Sequence, residues 1–246
     1  SDLSNENRIG MVTNGVSGAF AHWLDGTTDE RNYFAMVAAD GNDAVNSNPA
    51  STPSIGFGNG TVASYNFNAA VGSYPTSTVV IDALDIAAYA DSDTEALPAI
   101  NISTGGVASG TFTLPTPSGS LFSGRAPVIR PFDISVNLSG ASGLFNDLNT
   151  ACVQSVDIGV DFARSPILCL GSRYRVDNTV ADTIPLTFST EILTKDVISG
   201  RLSAFTCQTG QYSAIVTLRN PSCTGVGSVA AVFTLRGLTY EGQSAE

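Results

Sequence analysis

Apolar and polar side chains alternate with a period of two along most of the chain after residue 60. In residues 132–139 every second side chain is apolar, and the others are small and polar. A strand with this pattern buries one face and exposes the other. Similar runs begin at Val156, Ile184, Tyr212 and Val229. The pattern predicts a series of half-buried β-strands.

Turn-forming residues separate these runs, for example at residues 140–143, 220–221 and 225–227. No helix-length connection intervenes in this half of the chain, so neighbouring strands are expected to pair antiparallel. Short strands at such spacing are typical of sandwiches and jelly rolls. We predict an all-β fold, an antiparallel, jelly-roll-like β-sandwich with a loop-rich N-terminal region and at most one or two short helices.

One short helix is predicted over residues 31–39. Thr27 and Glu30 have the spacing of a capping box, in which each side chain bonds to the backbone of the other residue. Tyr33 and Phe34 begin an apolar face directly after this signal. The local pattern therefore favours a helix in the otherwise β-rich chain.

The segment 79–90 fits either a helix or a strand. Val80, Leu84 and Ala87 would share a helical face. Three consecutive β-branched residues, from Val79 to Ile81, favour extended backbone instead. We expect a strand here.

A Pro- and Ser-rich segment at residues 115–120 is a candidate linker. It would separate a loop-rich N-terminal β region (1–114) from a Cys-bearing β-sandwich (121–246). One continuous domain is an equally good interpretation, because 246 residues fit either arrangement. Residues 1–12 are expected to form an arm that reaches a neighbouring subunit by strand addition at an open sheet edge.

The composition narrows the chemistry that the chain can perform. It has 22 acidic and 11 basic residues, a net charge of −11, one histidine (His22) and a single lysine (Lys195). Most acid–base and nucleophilic catalysis at neutral pH uses histidine or a tuned lysine, so we expect no enzyme and no catalytic residue. The sequence has no run of basic residues to bind nucleic acid and no apolar run long enough to span a membrane.

Four cysteines, Cys152, Cys169, Cys207 and Cys223, lie in the last 100 residues. Their spacing does not match a zinc site. An even number of cysteines in a chain this poor in lysine and rich in Ser, Thr and Asn favours disulfides. The sequential pairing, Cys152 with Cys169 and Cys207 with Cys223, is the preferred one of three. Four free thiols in a particle assembled in the cytosol are the alternative.

Two further groups of residues are candidate sites. Asp91, Asp93 and Glu95 alternate in a polar segment, where their carboxylates would converge on Ca²⁺, the one cofactor that the sequence suggests. Solvated loop carboxylates are the alternative interpretation. His22 and Trp23 are adjacent, and a tryptophan at this position would anchor an interface or a ligand, or else lie in the core.

Asp157 and Asp161 are predicted to point to the same polar strand face, where a carboxylate pair could hydrolyse glycosides. This makes a carboxylate-based hydrolase a minor alternative function. An extracellular carbohydrate-binding or adhesin-type module with loop-bound Ca²⁺ is a second alternative.

The leading hypothesis is a non-enzymatic structural subunit whose partners are copies of itself. It would assemble through its β-sandwich surfaces into an extracellular filament or pilus, a surface layer or a virion. Only 13% of the residues are charged, about half the usual share, and strand after strand places Asp, Ser, Asn, Thr or Gly outward. A neighbour can cover such strands without burying long charged side chains, and a secreted, cell-surface or virion location follows from the same composition.

Overall fold

The computed structural model of the protein describes residues 30–36, 54–89, 94–113, 129–139, 152–179, 184–193, 212–222 and 225–239. These stretches contain fifteen β-strands, one short 3₁₀ turn and no α-helix. All the strand pairings in them are antiparallel. The prediction of an all-β fold built from antiparallel sheets is confirmed.

The strands fall into one large sheet, one smaller sheet and three short hairpin pairings. Their bounds are β1 (Arg31–Met36), β2 (Ser54–Ala70), β3 (Thr76–Asp82), β4 (Asp85–Tyr89), β5 (Thr94–Ala96), β6 (Ile100–Asn101), β7 (Gly106–Val107), β8 (Thr111–Thr113), β9 (Ile134–Ser139), β10 (Val153–Asp161), β11 (Ser165–Ile167), β12 (Asp177–Thr179), β13 (Leu186–Ile192), β14 (Tyr212–Arg219) and β15 (Val229–Leu238). The strand predicted within residues 79–90 is therefore confirmed, as β3 and β4 with a break at Ala83 and Leu84.

The large sheet has six strands and is built around β2. The first half of β2 pairs with β1 and β4, and the second half pairs with β3 and β10. Its 17 residues span roughly 55 Å when extended, so one strand has room for two successive sets of neighbours. The far edge of β10 pairs with β13.

Strands from both sides of residues 115–120 belong to this sheet, because β2 pairs with β10. The proposed linker itself lies outside the described residues, as does the proposed arm at residues 1–12. Both stay predictions, and so does the division into two domains.

The apolar faces of the large sheet and of the three-stranded sheet β15–β14–β9 form one core. The Phe233 ring on β15 lies 4.9 Å from Phe67 and 6.4 Å from Tyr65 on β2, measured between ring centroids. Burial of such aromatic and aliphatic area is the main stabilising contribution to the fold. The finer sandwich and jelly-roll assignment stays a prediction.

The alternating runs correctly predicted this core on three strands. The buried members are Val156, Ile158, Val160 and Phe162 at and just after β10, Tyr212, Ala214, Val216 and Leu218 on β14, and Phe233 and Leu235 on β15. In each strand the intervening side chains face away from the core, as a period of two requires.

The helix predicted over residues 31–39 is wrong for residues 31–36, which form β1. Its pairing with β2 places the Tyr33 ring against Gly60, where a β-carbon would come within 2.7 Å of the ring. The hydrogen-bond ladder and this packing outweigh the local capping signal, because helix propensity is weak compared with tertiary contacts.

The strand predicted from Phe132 begins two residues later, at Ile134. Pro131–Asp133 form a 3₁₀ turn instead, and the Asp133 carboxylate accepts hydrogen bonds from the Arg130 backbone N–H at 3.1 Å and from its Nε at 2.9 Å. The guanidinium of Arg130 lies 4.0 Å from the centre of the Phe132 ring, which is 73% exposed. The turn thus removes Phe132 from the core, and Arg130 holds the pKa of Asp133 below its usual range.

Candidate functional site

Most of the side chains that the sequence singled out lie outside the described residues, namely His22, Trp23, Asp91, Asp93, Cys207 and Cys223. Glu95 lies on β5, opposite Phe112 on β8. In the part of the chain that the structure describes, no three His, Cys, Asp or Glu side chains are grouped closely enough to hold a metal ion. The Ca²⁺ site and the His22–Trp23 interface stay predictions.

Cys152 and Cys169 are both exposed, and the structure does not join them to each other. Cys152 directly precedes β10, whereas Cys169 follows β11. The Cys152–Cys169 bond of the preferred sequential pairing is therefore not formed. The Cys207–Cys223 bond stays a prediction.

Within the described stretches, no helix is long and apolar enough to cross a membrane.

On β3, β2, β10 and β13, four of the six strands of the large sheet, the face that points away from the core carries mostly short polar side chains. We call it the outer face, and it comprises Thr76, Thr78 and Val80 on β3, Ser64, Asn66 and Asn68 on β2, Ser155, Asp157, Gly159 and Asp161 on β10, and Thr187, Ser189 and Glu191 on β13. These thirteen positions include three carboxylates and neither Lys nor Arg. The outer face is thus polar, low in relief and free of long cationic side chains.

Neighbouring side chains hold the carboxylates of the outer face in place. Asp157 accepts hydrogen bonds from the amide of Asn66 at 3.1 Å and from that of Asn68 at 3.3 Å. Glu191 accepts one from the Ser155 hydroxyl at 3.2 Å. Such cross-strand pairs stabilise a sheet and fix the rotamers of the side chains that take part. The side chains in the middle of the outer face are therefore held in fixed positions.

The second carboxylate on β10 has a different role. Asp161 Oδ1 accepts a hydrogen bond of 2.9 Å from the backbone N–H of Ala163, whose φ is +43°. Asp161 follows Asp157 by four residues on the same strand face, which corresponds to roughly 13 Å. Paired carboxylates that cleave glycosides lie about 5–9.5 Å apart. The geometry therefore argues against the two residues acting as a hydrolytic pair.

A buried arginine of the β11–β12 hairpin forms hydrogen bonds to β2 and to the residue that precedes β1. Arg175, in the loop of the β11–β12 hairpin, donates to the Asn59 carbonyl at 2.7 Å and to Glu30 Oε1 at 3.3 Å. Asn59 has a φ of +51°, and its side-chain oxygen accepts the backbone N–H of Ile100. Sequence reasoning missed this contact, since no local pattern relates residue 175 to residue 59.

The glycine-rich run 56–60 lies within β2, and its glycines allow neighbouring segments to pack directly against the backbone of this strand. A β-carbon at Gly58 would lie 2.2 Å from the carbonyl oxygen of Pro98, which belongs to the ribbon formed by β5 to β8. A β-carbon at Gly56 would lie 2.7 Å from the Phe34 ring. Glycine is needed at these positions because another segment approaches the backbone directly.

The edge of β2 that β3 and β4 cover ends in exposed strands. Six of the seven residues of β3 are exposed and Ile81 is half-buried, so both faces of this strand are open to solvent. Val79 is 37% exposed, Val80 47%, and Ile86 on β4 65%. Among the described residues, β3 pairs only with β2, and no described strand pairs with its other edge.

A shallow cavity of about 80 Å³ lies where the end of β2 and the start of β10 meet β9. Its walls include Val71, Pro131, Ile134 and Val153. Ligand pockets usually enclose about 300–1,000 Å³. The cavity can accept a side chain rather than a metabolite.

No protein-family model matches the chain, and no curated protein matches it significantly.

Proposed function

We propose that the protein is a non-enzymatic structural subunit that assembles with copies of itself through the surfaces of its sheets. The assembly would be an extracellular filament or pilus, a surface layer or a virion. The outer face of the large sheet is the observation that carries this proposal, since it spans four strands and presents short, preordered polar side chains.

Covering this face immobilises few flexible side chains. Fixing a lysine or arginine costs up to about 2 kcal/mol of rotamer entropy, whereas Ser, Thr and Asn lose less. The amides of Asn66 and Asn68 already engage Asp157, so its charge is partly satisfied before a neighbour approaches. Interfaces tolerate polar groups when these are hydrogen-bonded, and bridging water can complete the remaining bonds.

Measuring the size of the native particle tests the proposal. We expect sedimentation velocity and electron microscopy to show species larger than a monomer, whose fraction rises with protein concentration. Thr187→Lys, which places a long cation on the outer face, should reduce this fraction. Ser103→Lys, in the exposed turn between β6 and β7, is the matched control and should leave it unchanged. A wild-type chain that stays monomeric at every concentration would contradict the proposal.

A second candidate function, a carbohydrate-binding or adhesin-type module, is favoured by one specific observation. Asn66, Asn68 and Asp157 form an exposed row of amide and carboxylate groups, which can donate to and accept from sugar hydroxyls. The exposed ring of Tyr74 lies in the turn that joins β2 to β3.

Glycan binding and Ca²⁺ dependence test this second candidate. Glycan binding that Asn66→Ala abolishes would favour it over assembly. Ca²⁺ should raise the midpoint of thermal unfolding if Asp91, Asp93 and Glu95 bind the ion, since a ligand of the native state stabilises it. An unchanged midpoint would remove the loop-bound ion from the hypothesis.

A further inference from the structure

We propose that the unpaired edge of β3 pairs with β3 of a second copy of this chain, antiparallel and about a two-fold axis through Val79. This inference rests on the proposed function, because it names one contact surface and the partner that the surface takes. It concerns the strand edge, which is distinct from the outer face.

β3 is exposed along most of its length. Residues of β2 and β10 share a core with the smaller sheet, and no residue of β3 belongs to that core. Of the seven residues of β3, only Ile81 is packed against a buried cluster, at the end of the strand. Val79, on the core-facing side, is 37% exposed, and Val80, on the outer side, is 47% exposed. A β-branched strand with both faces open and one edge unpaired is a template for adding another strand.

β3 carries little of the usual protection of an edge strand. Natural edge strands carry Lys, Pro, a bulge or inward charges that prevent pairing. The first six residues of β3 carry no charge and include no Pro or Gly, and its one acid, Asp82, is the last residue. The register shift in its pairing with β2 lies on the β2 side, between Val62 and Ser64. β15, by contrast, carries Arg236 within the strand.

Charge is compatible with pairing between two copies of β3, and it distinguishes the two directions of pairing. The chain carries −11 overall, so most contacts between two copies bring acidic groups together. In an antiparallel pair centred on Val79, Asp82 of each copy lies opposite Thr76 of the other, and Asp85 lies opposite Ser73. No carboxylate then faces a carboxylate, whereas in-register parallel pairing would place Asp82 beside Asp82. The edge is thus compatible with itself in one orientation.

The size of the contact sets its expected strength. The seven residues of β3 give an edge roughly 23 Å long. Pairing along an edge of this length buries less area than the 1,200 Å² or more of a standard stable interface. We expect a concentration-dependent dimer. A two-fold contact closes on itself, so an extended assembly needs a second surface, which the outer face provides.

Two variants test this contact. Val79→Lys places two ammonium groups opposite each other at the two-fold axis, where like charges destabilise strand pairing. We expect the dimer dissociation constant to rise at least about tenfold in sedimentation velocity, equivalent to about 1.4 kcal/mol. Val229→Lys, at a similarly exposed valine of β15, is the matched control and should dimerise like the wild type.

Val79→Cys gives a readout that does not depend on how the lysine variant folds. Residues directly opposite in an antiparallel pair have Cβ atoms about 4.5–5.5 Å apart, close enough for oxidation to join the two cysteines. Peptide mapping should identify a 79–79 crosslink. Val80→Cys should crosslink much less, because residue 80 lies opposite residue 78.

The outcomes separate the two proposals. If the wild type assembles, but Val79→Lys has no effect and the 79–79 crosslink does not form, the β3 contact is wrong and self-assembly stands. If the wild type is a monomer at every concentration, the proposed function fails, and the β3 contact fails with it.

Discussion

β10 and β3 belong to the same sheet, both pair with β2, and both are rich in β-branched residues, yet their surroundings differ. On β10, residues Val156, Ile158 and Val160 are buried in alternation with half-buried or exposed neighbours. On β3, no residue is buried. β10 lies between two strands and shares a core with the smaller sheet, whereas β3 lies at an edge and contributes no residue to that core.

The difference between β10 and β3 shows what an alternation of apolar and polar side chains indicates and what it does not. A period of two establishes which side chains share a face, because successive Cβ atoms point to opposite sides of a strand. Whether a face is buried depends on a second layer that comes from elsewhere in the chain. Apart from Ile81, which packs against Val62, Val160 and Phe162, the side chains of β3 have no such cover. This exposure is the reason why we propose β3 as a contact surface.

The largest expected effect comes from truncating the covered strand. Ile158 is 1% exposed and contacts the core of both sheets. Ile158→Ala should lower the free energy of unfolding by about 3 kcal/mol, because the change removes buried methyl groups and leaves a cavity. Val80→Ala on β3 should change it by about 0.5 kcal/mol or less.

Denaturant titration of both variants measures this contrast. Similar losses at the two positions would show that β3 is covered in solution, by another segment or by a second copy. Repeating the titration at low protein concentration distinguishes these two cases, because only a contact between copies weakens on dilution.

A second contrast concerns arginines of the β11–β12 hairpin. Arg175→Met should cost about 2 kcal/mol, since the Asn59 carbonyl and Glu30 lose a charge-assisted partner. Arg173→Met is the control, because Arg173 is exposed and its guanidinium lies 5.6 Å from the centre of the Tyr174 ring. Thermal unfolding should separate the two variants clearly. Equal midpoints would mean that Arg175 is not needed to attach the hairpin to β2.

A smaller effect is expected on the exposed side of β10. Asp157→Ala removes the acceptor of the Asn66 and Asn68 amides, which can bond to water instead. We expect a loss of about 0.5 kcal/mol, typical of an exposed polar contact. Asp157→Asn keeps the shape and should lose less. A loss comparable to that of Ile158→Ala would show that the outer face is buried in the state measured.

The smallest effect appears at alkaline pH. Burial raises the pKa of the Tyr65 phenol above 10.0, and its hydrogen bond to Ser77 on β3 offsets this only in part. The folded state therefore keeps the proton when the unfolded chain loses it, and stability falls as the pH rises above about 10. Tyr65→Phe should show a shallower decline in the free energy of unfolding over this range. An identical decline in both proteins would mean that the phenol reaches solvent.

The local pattern correctly predicted the strands whose alternating apolar side chains are buried in the core. Val156, Ile158 and Val160 were identified as core positions because their neighbours are small and polar, and the same holds for β14. The prediction was wrong where a local sequence signal favoured a helix but contacts with a distant segment favoured a strand. The capping box at Thr27 predicted a helix, but Tyr33 and Phe34 pack over glycines of β2, and strand pairing prevailed.

The outer face likewise has features that the local sequence predicted and features that depend on contacts between distant segments. The sequence indicated small polar outward faces, but it did not reveal that Asp157 lies beside Asn66 and Asn68, because residue pairs 91 and 89 positions apart meet only when β2 and β10 pair. It favoured a Cys152–Cys169 bond because the two residues bracket one strand-like run and its turn, but the structure does not join them.

By itself the sequence determined that this protein is an antiparallel β protein with few long charged side chains. Periodicity and composition are local quantities, and they suffice for that conclusion. Only the tertiary structure decided that side chains of the two sheets meet in one core and that most of β3 stays exposed. Burial depends on contacts between segments that are distant in the chain, and it is burial that distinguishes a core strand such as β10 from an exposed strand such as β3.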